Sequence, residues 1–97
     1  MFILTGRMIR GDESLEPADL ARLIRAAAEP EDGLEHVYVE TDPLGADVVL
    51  FLSPPTTGGH HSSAIRITRR CLATSDVLRG WQLGAGFSRD LLPLISE

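Results

Sequence analysis

The chain of 97 residues contains no lysine and only one cysteine, Cys71. A single cysteine excludes an internal disulfide and favours a reducing compartment such as the cytoplasm. All 9 basic residues are arginine, against 14 acidic residues, and the net charge is −5. Because a nucleic-acid-binding domain needs a basic face to displace counterions, this charge argues against a nucleic-acid partner. The lack of lysine beside abundant Ala, Gly, Leu and Asp is typical of GC-rich bacterial coding.

Long apolar runs are also missing. The run at 48–52 is far shorter than the ~20 residues of a membrane-spanning helix. The apolar N-terminus has no basic segment before it, as a signal peptide would. We therefore expect no membrane association. The 43% hydrophobic content is enough for one modest core, so residues 1–97 are expected to form a single domain.

Four segments have the composition of β-strands, at 2–9, 34–41, 47–53 and 81–88. The first and third are apolar on both faces, which is typical of central strands. Two segments have helical spacing. The first begins near Pro17, a residue suited to the first helical position, and ends at Pro30. The second is capped by Ser62 or Ser63 and runs to about Thr74.

The order of these elements is that of the ferredoxin-like βαββαβ fold. With right-handed crossovers it predicts an α+β domain. Its four-stranded antiparallel sheet has the order 4-1-3-2, with two helices on one face. An apolar C-terminal tail follows at 89–97.

The face of the sheet without helices is predicted to be apolar, and a patch of that kind usually marks an interface. We expect a homo-oligomer or a protein partner there, and Leu50→Arg should break the association while leaving the helices intact. Alternation assigns Val49 and Phe51 to the helix-covered face. It assigns the following interface residues to the bare face: Ile3, Ile9, Val48, Leu50 and Leu52.

Element order and face polarity resemble the dimeric α+β barrel arrangement, in which two such sheets enclose a small-molecule cavity. The resemblance implies a ligand binder or a monooxygenase-, cyclase- or isomerase-like enzyme as an alternative. Candidate residues are His36, Tyr38 and Glu40 on the second strand, beside Arg7 on the first. A histidine near a carboxylate and an arginine can move protons on a bound ligand. The simpler interpretation is edge-strand polarity with a plain Arg7–Glu40 salt bridge across an interface.

The stretch PPTTGGHHSSA at 54–64 leads into the second helix. A glycine-rich loop at a helix N-terminus favours anions, so an anion or nucleotide sensor is one hypothesis. No lysine follows the glycines and no G-x-G-x-x-G is present, so a turn with a serine cap is the simpler interpretation. His60 and His61 should gather with His36 and Arg89 at one end of the sheet. The spacing predicts neither a metal site nor a cofactor.

No strong catalytic motif is present in the sequence. The leading hypothesis is therefore a small non-catalytic module that dimerises or binds a partner through the bare face of its sheet. The sequence does not identify a partner, a ligand or a substrate.

Overall fold

A computed structural model of the chain describes residues 2–53, 60–84 and 87–89. Side chains are described at 2–53, 63–84 and 87. Short 3-10 helices occupy Pro30–Asp32 and Asp76–Leu78. The main elements, in chain order, are β1 (Phe2–Ile9), α1 (Pro17–Ala27), β2 (Leu34–Asp42), β3 (Gly45–Leu52), α2 (His60–Thr74), β4 (Gln82–Leu83) and β5 (Ser88–Arg89).

The strands form one antiparallel sheet in the order β2-β3-β1-β4, which confirms an α+β domain with two helices. These are the neighbours expected from the sequence, counted from the opposite edge. The short strand β5 also pairs with β1. Since β3 occupies one side of β1 along its whole length, β4 and β5 lie end to end on the other side. Met8 pairs with Leu83 but Thr5 with Ser88, so the register shifts between the two short strands.

The first helix follows the sequence pattern closely. Pro17 lies in its first turn, and Leu20 and Ile24 on its inner stripe are buried. The second helix differs from the prediction. It begins at His60, so the two histidines belong to its first turn and the serines do not cap it. Ser63 is buried, and its hydroxyl accepts a hydrogen bond from Arg66 at 3.1 Å.

The third strand lies in the opposite phase to the predicted one. Leu50 pairs with Leu4 on β1 and with Val37 on β2, and directly paired residues share a face. Val48, Leu50 and Leu52 therefore point at the helices and are at most 1% exposed. Their predicted place on the bare face was wrong. The run 48–52 is apolar at every position, so alternation cannot fix its phase, and only the pairing register does.

A β-bulge interrupts the start of β2. Leu34 pairs with Leu52 and His36 with Phe51, so Glu35 is an extra residue on the β2 side. Leu34 packs against the core as a result. From His36 onward the strand alternates regularly, with Val37 and Val39 buried and the residues between them exposed.

Some predicted features fall outside the described residues. They are the glycine-rich loop at 54–59, the side chains of His60, His61 and Arg89, and the tail from 90 to 97. Within the described ranges, no helix is long and apolar enough to cross a membrane.

Candidate functional site

The candidate site is the surface of the sheet that faces away from α1 and α2, which we call the open face. Its residues are those of β1, β2 and β3 that alternate with the buried ones, and cross-strand pairing arranges them in rows. The apolar row is Ile3–Phe51–His36, the middle row is Thr5–Val49–Tyr38, and the charged row is Arg7–Asp47–Glu40.

The apolar row places an aromatic contact at one end of the open face. The rings of His36 and Phe51 have centroids 5.5 Å apart at an interplanar angle of 58°. Tilted pairs at this distance are favourable, because the edge of one ring meets the face of the other. The contact orients His36 on the hydrophobic part of the face.

The charged row is organised by Arg7. Its guanidinium donates to both carboxylate oxygens of Asp42 at 2.8 Å and to Asp47 at 3.1 Å. Paired hydrogen bonds of this kind fix both position and orientation. Within the chain, Glu40 accepts a hydrogen bond from the hydroxyl of Tyr38 at 3.0 Å. The Arg7–Glu40 salt bridge that the sequence suggests across an interface stays a prediction.

Asp42 is the most heavily hydrogen-bonded carboxylate on this face. Besides Arg7, its Oδ1 accepts the backbone N–H groups of Leu44 at 2.8 Å and Gly45 at 3.0 Å, which closes the turn between β2 and β3. The hydrogen bond from Arg7, followed by that from Leu44, lowers the pKa of Asp42 to about 2. The same pairing raises the pKa of Arg7 above its usual value.

We expect Arg7→Gln to raise the pKa of Asp42 toward its usual value, because the largest cause of its depression is then removed. The wild-type carboxylate stabilises the fold above its unfolded pKa of about 3.9, and this stabilisation is lost as pH falls through the folded pKa. Carboxyl chemical shifts recorded by NMR across acid pH measure the change. Arg22→Gln, which removes an exposed arginine on α1, is the control. An unchanged Asp42 titration in Arg7→Gln would contradict the assignment.

The four side chains considered for proton transfer fall into separate interactions. Arg7 is held by two aspartates, His36 contacts Phe51, and Tyr38 bonds Glu40. The hydrogen bond to Glu40 raises the pKa of Tyr38, so its hydroxyl stays protonated at neutral pH. Apart from the Tyr38–Glu40 pair, these interactions do not join the four side chains to one another.

At the centre of the open face lies an unpaired hydroxyl. The Oγ1 atom of Thr5 is the one buried side-chain polar atom without a hydrogen-bond partner in the described part of the chain. A buried hydroxyl without a partner costs about 1–3 kcal/mol.

A second charged cluster lies on the helical side of the molecule. The buried carboxylate of Asp32 accepts hydrogen bonds from Arg66 and Arg70 at 3.1 Å and from the backbone N–H of Glu29 at 2.9 Å. Arg70 also donates to the carbonyl of Ala27 at 2.6 Å. Burial raises the pKa of Asp32, but the Glu29 N–H and the two guanidiniums outweigh it, and the pKa lies below its usual value. The cluster ties α1 to α2.

A small cavity of about 260 Å³ lies elsewhere, between the β1–α1 loop and the segment after α2. Its lining is mainly charged and comprises Asp12, Glu13, Asp76, Val77 and Arg79. Within the described ranges, no group of three or more histidine, cysteine or acidic side chains is arranged to hold a metal ion.

Sequence reasoning missed the aspartates at 32, 42 and 47 as organising residues. The role of Asp42 could have been predicted from its neighbours. An aspartate before Pro-Leu-Gly favours a turn in which its carboxylate accepts hydrogen bonds from the following backbone N–H groups. Asp32 had none, since its arginine partners lie 34 and 38 residues away. The predicted meeting of histidines at one end of the sheet rests on side chains outside the described residues, except for His36.

The chain matches no protein-family model, and the searches of curated proteins and of solved structures also find no match.

Proposed function

We propose that this protein is a small non-catalytic interaction domain and that its open face is the binding surface. The observation that carries the proposal is the uncovered state of this face in the described structure. The sheet buries its other face under two helices, while the open face leaves Tyr38 51% and Ile9 43% exposed. A sheet face without a covering layer on a small domain usually serves an interaction.

The polar groups of the open face suit an interface. Arg7 is hydrogen-bonded to both Asp42 and Asp47 within the chain, and Tyr38 donates to Glu40. Covering such groups costs less than covering unpaired charges, because each keeps a partner when water leaves.

A ligand site between two such faces is the second candidate function. It is favoured by the hydroxyls of Thr5 and Tyr38 in the middle row, which would offer hydrogen bonds to a small molecule between two sheets. A cavity lined by these groups in an assembled form supports this candidate, and a filled interface contradicts it.

We also propose a fold family and a cellular location for the protein. The element order and the strand order β2-β3-β1-β4 support a ferredoxin-like arrangement. The single cysteine, Cys71, cannot form an internal disulfide, which supports a cytoplasmic location. The absence of lysine beside abundant Ala, Gly, Leu and Asp supports a bacterial source.

Site-specific photocrosslinking tests the proposed function. With p-benzoylphenylalanine at Tyr38, we expect a covalent protein adduct in the organism that encodes the chain. The same group at Ala26, an exposed position on α1, is the control and should give none. Equal yields from both positions, or none from Tyr38, would contradict the proposal.

A further inference from the structure

We propose that the occupant of the open face is a second copy of this chain, related by a two-fold axis that runs along β3 in the plane between the two sheets. The inference rests on the proposed function and names its partner. The observation behind it is the charged row, in which Arg7 and Glu40 lie on the two flanking strands and are brought together by this rotation.

The rotation leaves the position of each row along β3 unchanged, so each row of one copy faces the same row of the other. It places the strand on one side of β3 over the strand on the other side. Strand β1 of one copy then lies over β2 of the other, and β3 lies over β3. In the charged row, Arg7 faces Glu40 of the second copy. Within the described chain Glu40 forms no ion pair, so it is free to accept this cation.

The other rows also match. In the apolar row Phe51 faces Phe51 across the axis, and Ile3 faces the ring of His36. In the middle row Thr5 faces Tyr38, and rotation of the threonine side chain would give its unpaired hydroxyl a partner. The two copies of Asp47 face each other, and the guanidinium that each binds is shared with Asp42, so this contact remains repulsive and weakens the dimer.

Other orientations fit less well. An axis at right angles to the strands would place the charged row over the apolar row, so Asp47 and Arg7 would lose water against Phe51 and Ile3. The axis along β3 avoids this loss in the three rows and incurs it only where Ile9 faces Asp42 of the second copy. It also corresponds to the aligned face-to-face packing that pairs of twisted sheets adopt.

The size of the surface predicts a weak dimer. Three strands of about 26 Å, spaced ~4.8 Å apart, present roughly 400 Å² of flat sheet per copy. A standard interface buries ~800 Å² per partner. The flat area of the open face is smaller than this, although protruding side chains add to the accessible surface that is buried. The two copies also each carry a net charge of −5. We therefore expect reversible dimers that increase with protein concentration and with salt, since salt screens the long-range repulsion.

Sedimentation velocity over a concentration series tests association. We expect the wild type to shift from monomer to dimer, and Glu40→Arg to shift this transition to at least tenfold higher concentration because two arginines then face each other. Glu31→Arg, an exposed site with the same change of charge, is the control and should behave as wild type. Equal behaviour of both variants would overturn the Arg7–Glu40 contact.

Crosslinking tests the orientation. In a Cys71→Ala background, Asp47→Cys should be joined to itself by a bis-maleimide about as long as the ~10 Å between packed sheets. Asp19→Cys, at a partly exposed position on α1, should not be joined. A dimer in which Cys at 47 stays unlinked overturns the axis along β3.

The proposed function and this inference fail differently. If the chain stays monomeric at all concentrations while Tyr38 crosslinks a different protein, the dimer is wrong and the interaction domain stands. If the chain stays monomeric and Tyr38 captures nothing, both are wrong.

Discussion

Asp32→Asn lowers the free energy of unfolding by about 3 kcal/mol, the low end of the cost of leaving buried ion-pair partners uncompensated. The carboxylate of Asp32 is fully buried and is the shared acceptor of Arg66 and Arg70. An uncharged amide leaves Arg66 without its counter-charge and leaves Arg70 only the carboxylate of Glu29 at 3.7 Å. The low end applies because the two arginine side chains remain 43% and 29% exposed and recover part of their hydration.

Urea denaturation at neutral pH measures this loss. Asp19→Asn removes the same charge from an exposed pair with Arg22 and should cost less than about 1 kcal/mol. The pH dependence gives a second measurement. Because the pKa of Asp32 is lowered on folding, its stabilisation is present above its unfolded pKa of about 3.9 and declines as pH falls below it. The difference between wild type and Asp32→Asn should shrink in acid. A constant difference across this range would show that the charge is not its source.

Leu50→Arg unfolds the domain at room temperature. Leu50 is 0% exposed and lies on the central strand β3, beneath both helices and paired with core residues on either side. An unpaired charge at this position costs several kcal/mol beyond the lost apolar contacts, and small domains are stable by only about 5–15 kcal/mol. Val49→Arg, one residue earlier, places the same side chain on the open face and should leave the fold intact.

Far-UV circular dichroism and thermal melting distinguish the two variants. Leu50→Arg should lose its cooperative transition, whereas Val49→Arg should keep it and stay monomeric at concentrations where the wild type dimerises. The sequence alone predicts a folded, dissociated Leu50→Arg protein. A cooperative melt for Leu50→Arg would instead support the sequence-based prediction that Leu50 lies on the bare face of the sheet.

The contrast between Leu50 and Val49 shows what the sequence could and could not predict. Element order follows from local signals: Pro17 begins a helix, Leu20 and Ile24 repeat at helical spacing, and turn residues separate the strands. The face of β2 follows from the alternation that begins at His36, and the face of β1 follows from its two polar residues, Thr5 and Arg7, which lie two positions apart. The run at 48–52 has no polar residue to mark a face, so its phase depends on pairing with distant strands.

The candidate site was predictable only in part. The positions of Arg7, His36, Tyr38 and Glu40 on one face follow from the period of a strand. Their partners do not, because Arg7 can reach a neighbouring strand or the following turn, and the choice depends on the register of three strands. The turn that Asp42 closes determines the partner of Arg7, because it holds the Asp42 carboxylate within reach of the guanidinium.

The interruptions in the outer strands have a consequence for aggregation. On one side of the described sheet β2 carries a bulge near Glu35, and on the other side β4 and β5 are separated by a register shift. A foreign strand that adds to a sheet needs a long, regular row of free backbone groups. The bulge shortens that row on β2 to the part after Glu35, and the register shift divides it on the other side. Edge-to-edge addition can repeat without limit and lead to amyloid, whereas pairing of two open faces ends at two copies. The irregular edges therefore protect a chain with an uncovered sheet face from polymerising.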